Sequence, residues 1–150
     1  MNKNEFQEFL HQKIPVTKAM EFSVLEFAPS KVRILAKLEP NKNHHSTAFG
    51  GSISCLMTVA GWALMYANIM ETDPNAYIVI SKSNIRYLKP IKKDFTAECT
   101  LINESDKIKL FEMYNKNNKG KLTIKVYCYE DGDLAAEFEG QYVALNNNEV

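Results

Sequence analysis

The sequence predicts an α+β fold in which an antiparallel sheet wraps around one long central helix. Three observations carry this reading. No charged residue occurs between Ser46 and Met70, a stretch that is otherwise largely apolar. The segments on either side alternate apolar and polar residues, the period of a half-buried strand. The later segments are joined by short connections with turn chemistry, "NKNNKG" (Asn115 to Gly120) and "EDGD" (Glu130 to Asp133), which favour antiparallel neighbours.

In chain order, Phe6, Phe9, Leu10 and Ile14 recur at helical spacing between Asn4 and Lys13, and Pro15 closes that amphipathic helix. "EFSVLEFA" and "KVRILAKLE" flank Pro29-Ser30. In the second, Val32, Ile34, Ala36 and Leu38 alternate with mostly charged neighbours, so the two make a hairpin. "ETDPNA" breaks the chain after the uncharged stretch. Beyond it "YIVISKSNIRYL", "FTAECTLI", a piece of "KIKLFEMYN", and "LTIKVYCYE" leading into "LAAEFEGQYVAL" read as strands of an antiparallel meander. Only the tail "NNNEV" reads as disordered.

The apolar run from Ile53 to Met70 reaches the lower length limit of a membrane span. It carries Ser54, Thr58, Gly61 and Asn68, however, and has no lysine or arginine at either flank. The neighbouring strands each need an apolar partner for one face. A helix buried on nearly all sides by a sheet explains the missing charge without a membrane. Small residues (Ser52, Ser54, Ala60, Gly61, Ala63) permit close approach, and Trp62 is expected to pack into the sheet.

The chain of 150 residues fits one domain that folds without metal or disulfide staples. Lysine plus arginine balances aspartate plus glutamate at 18 each, with a pI near 6.8, so no global field draws it to nucleic acid or an anionic membrane. Cys55, Cys99 and Cys128 are odd in number and form no C-x-x-C pair. With an N-terminal segment lacking the apolar core of a signal peptide, the expectation is a cytoplasmic protein with buried structural thiols.

A long buried helix inside an antiparallel sheet, preceded by a hairpin and a glycine-bearing loop, is the element order of the hotdog fold. "NKNHHSTAFGGS", Gly61-Trp62, "IRYLKPI" (Ile85 to Ile91) and "FEGQYVAL" (Phe138 to Leu145), together with the N-terminal "IPVTKAMEF", closely resemble the YiiD-type thioesterase domain. The resemblance runs from about Phe6 to Leu145 in a single domain. It implies hydrolysis of an acyl thioester of coenzyme A or acyl carrier protein, with coenzyme A as part of the substrate and no resident cofactor. It also implies a homodimer or homotetramer, because sites of this fold usually form where subunits meet.

Gly50 and Gly51 open the helix, where the first N–H groups lack intrahelical partners and the dipole favours negative charge. A thioester carbonyl becomes an oxyanion when water attacks it, so these donors suit its stabilisation, and glycine lets the substrate approach closely. Packing alone would also account for the pair. Many hotdog thioesterases place a histidine or glutamine before the glycines, an asparagine six residues ahead of them, and an acid two turns into the helix. By that resemblance Asn43 matches the asparagine, while Phe49 stands at the histidine position and Thr58 at the acid position. His44 or His45 is then the candidate base, His45 preferred, with Asn43 and Thr58 holding the water or thioester. A Cys55–His45 pair would need an exposed helix thiol, and no metal-ligand spacing is present.

Arg86 and Lys89, near Lys92 and Lys93, are candidates for the phosphates of coenzyme A or for an acidic carrier protein. If Ile85 and Tyr87 face the core, Arg86 faces away from it. Phe49 and Trp62, with Met65 and Tyr66, are candidate walls for an acyl chain. The absent helix acid leaves a second reading open, that of a non-catalytic acyl-CoA or acyl-carrier binding module.

Overall fold

The computed structural model describes residues 1–101 and 103–149. It contains helix α1 (Lys3–Lys13), a short helical turn at Val16–Ala19, strands β1 (Phe22–Phe27) and β2 (Lys31–Ala36), and the long helix α2 (Gly50–Ile69). Strands β3 (Tyr77–Tyr87) and β4 (Phe95–Thr100), helix α3 (Glu104–Asn117), and strands β5 (Lys119–Glu130) and β6 (Asp133–Leu145) follow. The six strands form one sheet in the order β1-β2-β4-β5-β6-β3, every pair antiparallel. This sheet around a long helix is the hotdog arrangement.

Of the two turn signals, "EDGD" makes the β5–β6 hairpin as the sequence predicts, whereas "NKNNKG" joins no two strands: Asn115 to Asn117 end helix α3, and Lys119 and Gly120 begin β5. Pro29-Ser30 turns the β1–β2 hairpin, and Asp131 and Gly132 both adopt positive φ (48° and 81°), as a two-residue turn matched to strand twist requires. Chain order is broken only by β3, which pairs with β6 instead of standing between β2 and β4, so it ends the sheet with one side unpaired.

Two further expectations fail. "KIKLFEMYN" is helix α3, not strand. Asn103 accepts the Ser105 N–H as its N-cap, Glu104 and Asp106 occupy the first turn, and left-handed Asn118 ends the helix. Its buried residues are Leu110 and Tyr114, one helical turn apart, which pack over Gly120. The tail is not irregular throughout either, since Asn147–Glu149 forms a 3-10 turn. Ile102, the expected end of "FTAECTLI", and Val150 lie outside the described residues.

Helix α2 is the core. Leu56, Met57, Ala60, Ala63, Leu64 and Met65 are fully buried beneath the sheet, against Ile34, Ala97, Val126 and Phe138. Gly61 is where helix and sheet come closest: a Cβ there would stand 2.3 Å from the Tyr142 hydroxyl. That buried hydroxyl donates to the Thr58 carbonyl at 2.7 Å, which fixes the helix against β6. A half-buried stripe, Thr58, Trp62, Tyr66 and Met70, runs along the side the sheet leaves open. Helix α1 partly covers it, with Phe6 stacked on Phe27 at 3.9 Å and tilted against Tyr66 at 5.7 Å.

Alanine at position 61 gains about 1 kcal/mol of helix propensity but must displace a buried tyrosine. Gly61→Ala is therefore expected to lower stability by about 1–3 kcal/mol net, read as a fall in the urea midpoint at unchanged m-value.

Candidate active site

The loop entering α2 is held from several directions before the helix begins. Buried Asn41 donates through Nδ2 to the carbonyls of Met20 and Lys37, and its own carbonyl accepts the Phe49 N–H at 2.7 Å. The Ala48 N–H reaches the Ile91 carbonyl at 2.8 Å, tying the loop to the segment after β3. Between these anchors, Asn43 organises a tight turn. Its Oδ1 accepts from the backbone N–H groups of His45 and Thr47, its Nδ2 donates to Thr47 Oγ1, and Ser46 takes a positive φ of 61°.

At the helix start, Ser52 and Ile53 both donate to the Phe49 carbonyl. Among the described residues nothing accepts the N–H of Gly50 or Gly51, and Phe49 provides no side-chain cap. Two orphan donors thus stand side by side at the positive end of a 20-residue helix. The Phe49 ring, 57% exposed, lies over Gly51 so closely that a Cβ there would be 2.5 Å from it. Beside Gly50 is a groove of about 360 Å³ whose walls include Thr47, Ile53, Tyr87, Leu88, Lys89 and Ile91. The Tyr87 hydroxyl donates to the Gly50 carbonyl at 3.1 Å, with its ring packed on the glycine.

The structure therefore sets Gly50 and Lys89 on one groove, with Phe49 over the adjoining Gly51, and leaves other candidates apart. His44 and His45 are exposed on the turn, their rings 3.9 Å apart, and neither imidazole hydrogen-bonds to another described residue. Asn43 spends its side chain on the turn that carries them. Thr58 sits two turns along the helix with its hydroxyl donating to the Ser54 carbonyl. Trp62 stands a further turn on and donates Nε1–H to the Ile78 carbonyl at 3.2 Å. Arg86 faces the outer side of the sheet, as the alternation predicts, 3.7 Å from Glu137 in a hollow it shares with Lys125 and Tyr127. Lys89 lies 3.8 Å from Glu130 and 3.5 Å from Asp133, and Lys93 pairs with Asp131. Arg86, Lys89 and Lys93 are thus each matched by carboxylates.

Sequence reasoning missed Tyr87 as a site residue. It lay in plain view in "IRYLKPI", but alternation assigns it only to the inner face. That its hydroxyl reaches the helix start depends on β3 ending beside Gly50.

The putative thioesterase family YiiD_C, described as "Putative thioesterase (yiiD_Cterm)", matches residues 3–146. The chain belongs to this family. As a YiiD_C member it is a thioester hydrolase in general class, and solved structures agree in shape. A protein from Shewanella oneidensis described as a "putative thioesterase" is 28% identical with a TM-score of 0.81, the match covering 96% of this chain and 97% of that one. A protein of unknown function from Chlorobaculum tepidum is 23% identical with a TM-score of 0.90, over 97% and 94% of the two chains. At 20% identity, a Pseudomonas aeruginosa protein described as a "Probable Thioesterase" has a TM-score of 0.80 over 95% of each chain. The last two likenesses speak to the fold.

Within this YiiD_C domain the thiols are poorly placed for nucleophilic work. Burial pushes Cys99 and Cys128 up to about 12 and raises the half-buried Cys55, and Cys99 also donates to the Ala60 carbonyl. A thiol reagent at pH 7.5 is expected to titrate at most Cys55 in the native protein and all three cysteines after unfolding. Rapid native reaction of two or more would contradict this placement.

Proposed function

We propose that the protein hydrolyses acyl thioesters of coenzyme A or acyl carrier protein by direct attack of water, with the thioester carbonyl docked on the free Gly50 and Gly51 N–H groups. The observation that carries this reading is the pair of unpartnered donors at the helix start, the first of them, Gly50, on an open groove. As water oxygen bonds to the carbonyl carbon, the carbonyl oxygen becomes an oxyanion at those donors. Collapse breaks the C–S bond and releases carboxylic acid and thiol. The proton leaving water passes to an imidazole and on to the departing thiolate.

His45 is the assigned base, with His44 beside it, on the turn that Asn43 positions. Thr58 can hold a water through a hydroxyl lone pair while its O–H donates to the Ser54 carbonyl. Phe49, Trp62 and Tyr87 supply apolar wall, and Lys89 the charge nearest the groove, suited to a phosphate of coenzyme A or an acidic carrier. Arg86 would serve a carrier protein from the outer face. The reading takes a cytoplasmic homodimer or homotetramer, with no metal and no cofactor beyond the substrate's coenzyme A. A non-catalytic binding module is favoured only by the lack of a carboxylate from Ser46 to Met70.

Position 50 permits a clean test, because Phe49 already has the extended backbone that proline requires of its predecessor (φ −64°, ψ 133°) and proline is tolerated at the first helical residue. Gly50→Pro is expected to keep the fold and to cut kcat on the best acyl-CoA of a chain-length panel by about 10²–10³-fold. His45→Ala is expected to cost about 10²–10⁴-fold in kcat while the protein stays folded. Absence of turnover by the wild type, with acyl-CoA still bound, would replace hydrolysis with the binding module.

A further inference from the structure

Tyr87 is fixed by the strand and loop that carry it. It pairs with buried Ala136 at the end of β3, and the N–H groups of Leu88 and Lys89 both reach the Ala135 carbonyl, at 2.9 and 3.3 Å. Further on, the Ile91 carbonyl accepts the Ala48 N–H. The segment from Tyr87 to Ile91 is thus tied to β6 on one side and to the loop entering α2 on the other. From this mount the Tyr87 ring lies against Gly50, and its hydroxyl donates to the Gly50 carbonyl at 3.1 Å.

We infer that Tyr87 is a positioning residue for the Gly51 donor, orienting and polarising the peptide group that carries it. The inference deepens the proposed function and rests on it for the identity of the oxyanion. The Gly50 carbonyl and the Gly51 N–H are two ends of one planar peptide group. A hydrogen bond to the carbonyl oxygen draws electron density towards that oxygen and leaves the nitrogen more positive. The N–H at the opposite end becomes a stronger donor. The same bond restrains rotation of the peptide plane, which aims the N–H. As charge develops on the thioester oxygen, it meets a chain in which the oxyanion accepts from Gly51 and the Gly50 carbonyl accepts from Tyr87. Polarisation along this chain is greatest when the charge is greatest, so the gain falls on the transition state rather than on bound substrate. The phenol keeps its proton throughout.

The neighbouring donor has the same support by other means. The Gly50 N–H belongs to the Phe49–Gly50 peptide, whose carbonyl accepts two backbone N–H groups, from Ser52 at 2.9 Å and from Ile53 at 3.1 Å. The Gly50 carbonyl heads the regular ladder of α2, where the Ser54 N–H is its helical partner, and Tyr87 supplies the second donor. Only the Gly51 peptide therefore owes part of its support to a side chain. Phenylalanine at position 87 would keep the packing, because the ring carbons Cε1 and Cζ stand 3.7 Å from the Cβ position of residue 50, and would lose the hydrogen bond alone.

Single-turnover hydrolysis of the best acyl-CoA substrate isolates the chemical step, and NMR of the free protein reads the peptide group directly. Tyr87→Phe is expected to lower the maximal rate about 3–10-fold while leaving half-saturation unchanged. It is also expected to move the nitrogen resonance of Gly51 and the carbonyl-carbon resonance of Gly50 upfield. Tyr87→Leu, which removes the ring from the groove wall as well, is expected to add weaker binding to the same loss of rate. Ring fluorination of Tyr87 alone makes the phenol a stronger donor, and is expected to raise the maximal rate above wild type at a pH where the phenol stays protonated. Wild-type rate in Tyr87→Phe, a loss confined to binding, unmoved Gly51 and Gly50 resonances, or a fluorinated protein no faster than wild type would each overturn the inference. A wild type inert towards every thioester, with Gly51 still shifted by Tyr87→Phe, would instead sink the hydrolysis and keep the coupling between Tyr87 and the Gly51 N–H.

Discussion

The structure depends on the burial of α2 beneath a sheet that curls around it. A helix surrounded on most sides cannot carry charge without large desolvation costs, which explains why Ser46 to Met70 contains none. Close approach then requires small residues, and Gly61 against Tyr142 is the tightest point. The Tyr142 hydroxyl donates to the Thr58 carbonyl at that point and so ties the helix to β6.

That constraint also places the chemistry. Once the helix is fixed in the sheet, its first turn emerges where β3 ends and where the loop is clamped by Asn41 and Ile91. A side-chain cap would silence the orphan donors; Phe49 cannot provide one, and its ring lies over Gly51 instead. The absence of a helix acid follows from the same burial logic only in part. Thr58 lies on the half-buried stripe, where a carboxylate would be physically tolerable, so its hydroxyl is a specific property of this chain rather than a demand of the fold.

Much of the fold was legible in the sequence because its signals were local or extreme. An uncharged run is conspicuous, and Asp-Gly turns declare themselves through positive φ. Helix α3 was misread because Lys107, Ile108, Lys109 and Leu110 alternate like a strand. The deciding signals were Asn103 as a cap and the Leu110–Tyr114 spacing, which gain meaning only once Gly120 is seen beneath them. In the site, the glycine pair was readable from helix physics. The role of Asn43 as a turn-builder, the split of Arg86 from Lys89, and the reach of Tyr87 were not, since each depends on which strands become neighbours.

The central claim is that the Gly50 and Gly51 N–H groups receive a thioester carbonyl. Nitrogen-15 labelled protein titrated with a non-hydrolysable acyl-CoA ketone analogue, in which methylene replaces the thioester sulfur and the carbonyl remains, tests it at those two atoms. The account predicts that the Gly50 and Gly51 amide protons move downfield together on saturation, as new hydrogen bonds form, and that Gly50→Pro removes one signal and weakens binding. Saturable binding that leaves both amides unmoved would contradict it.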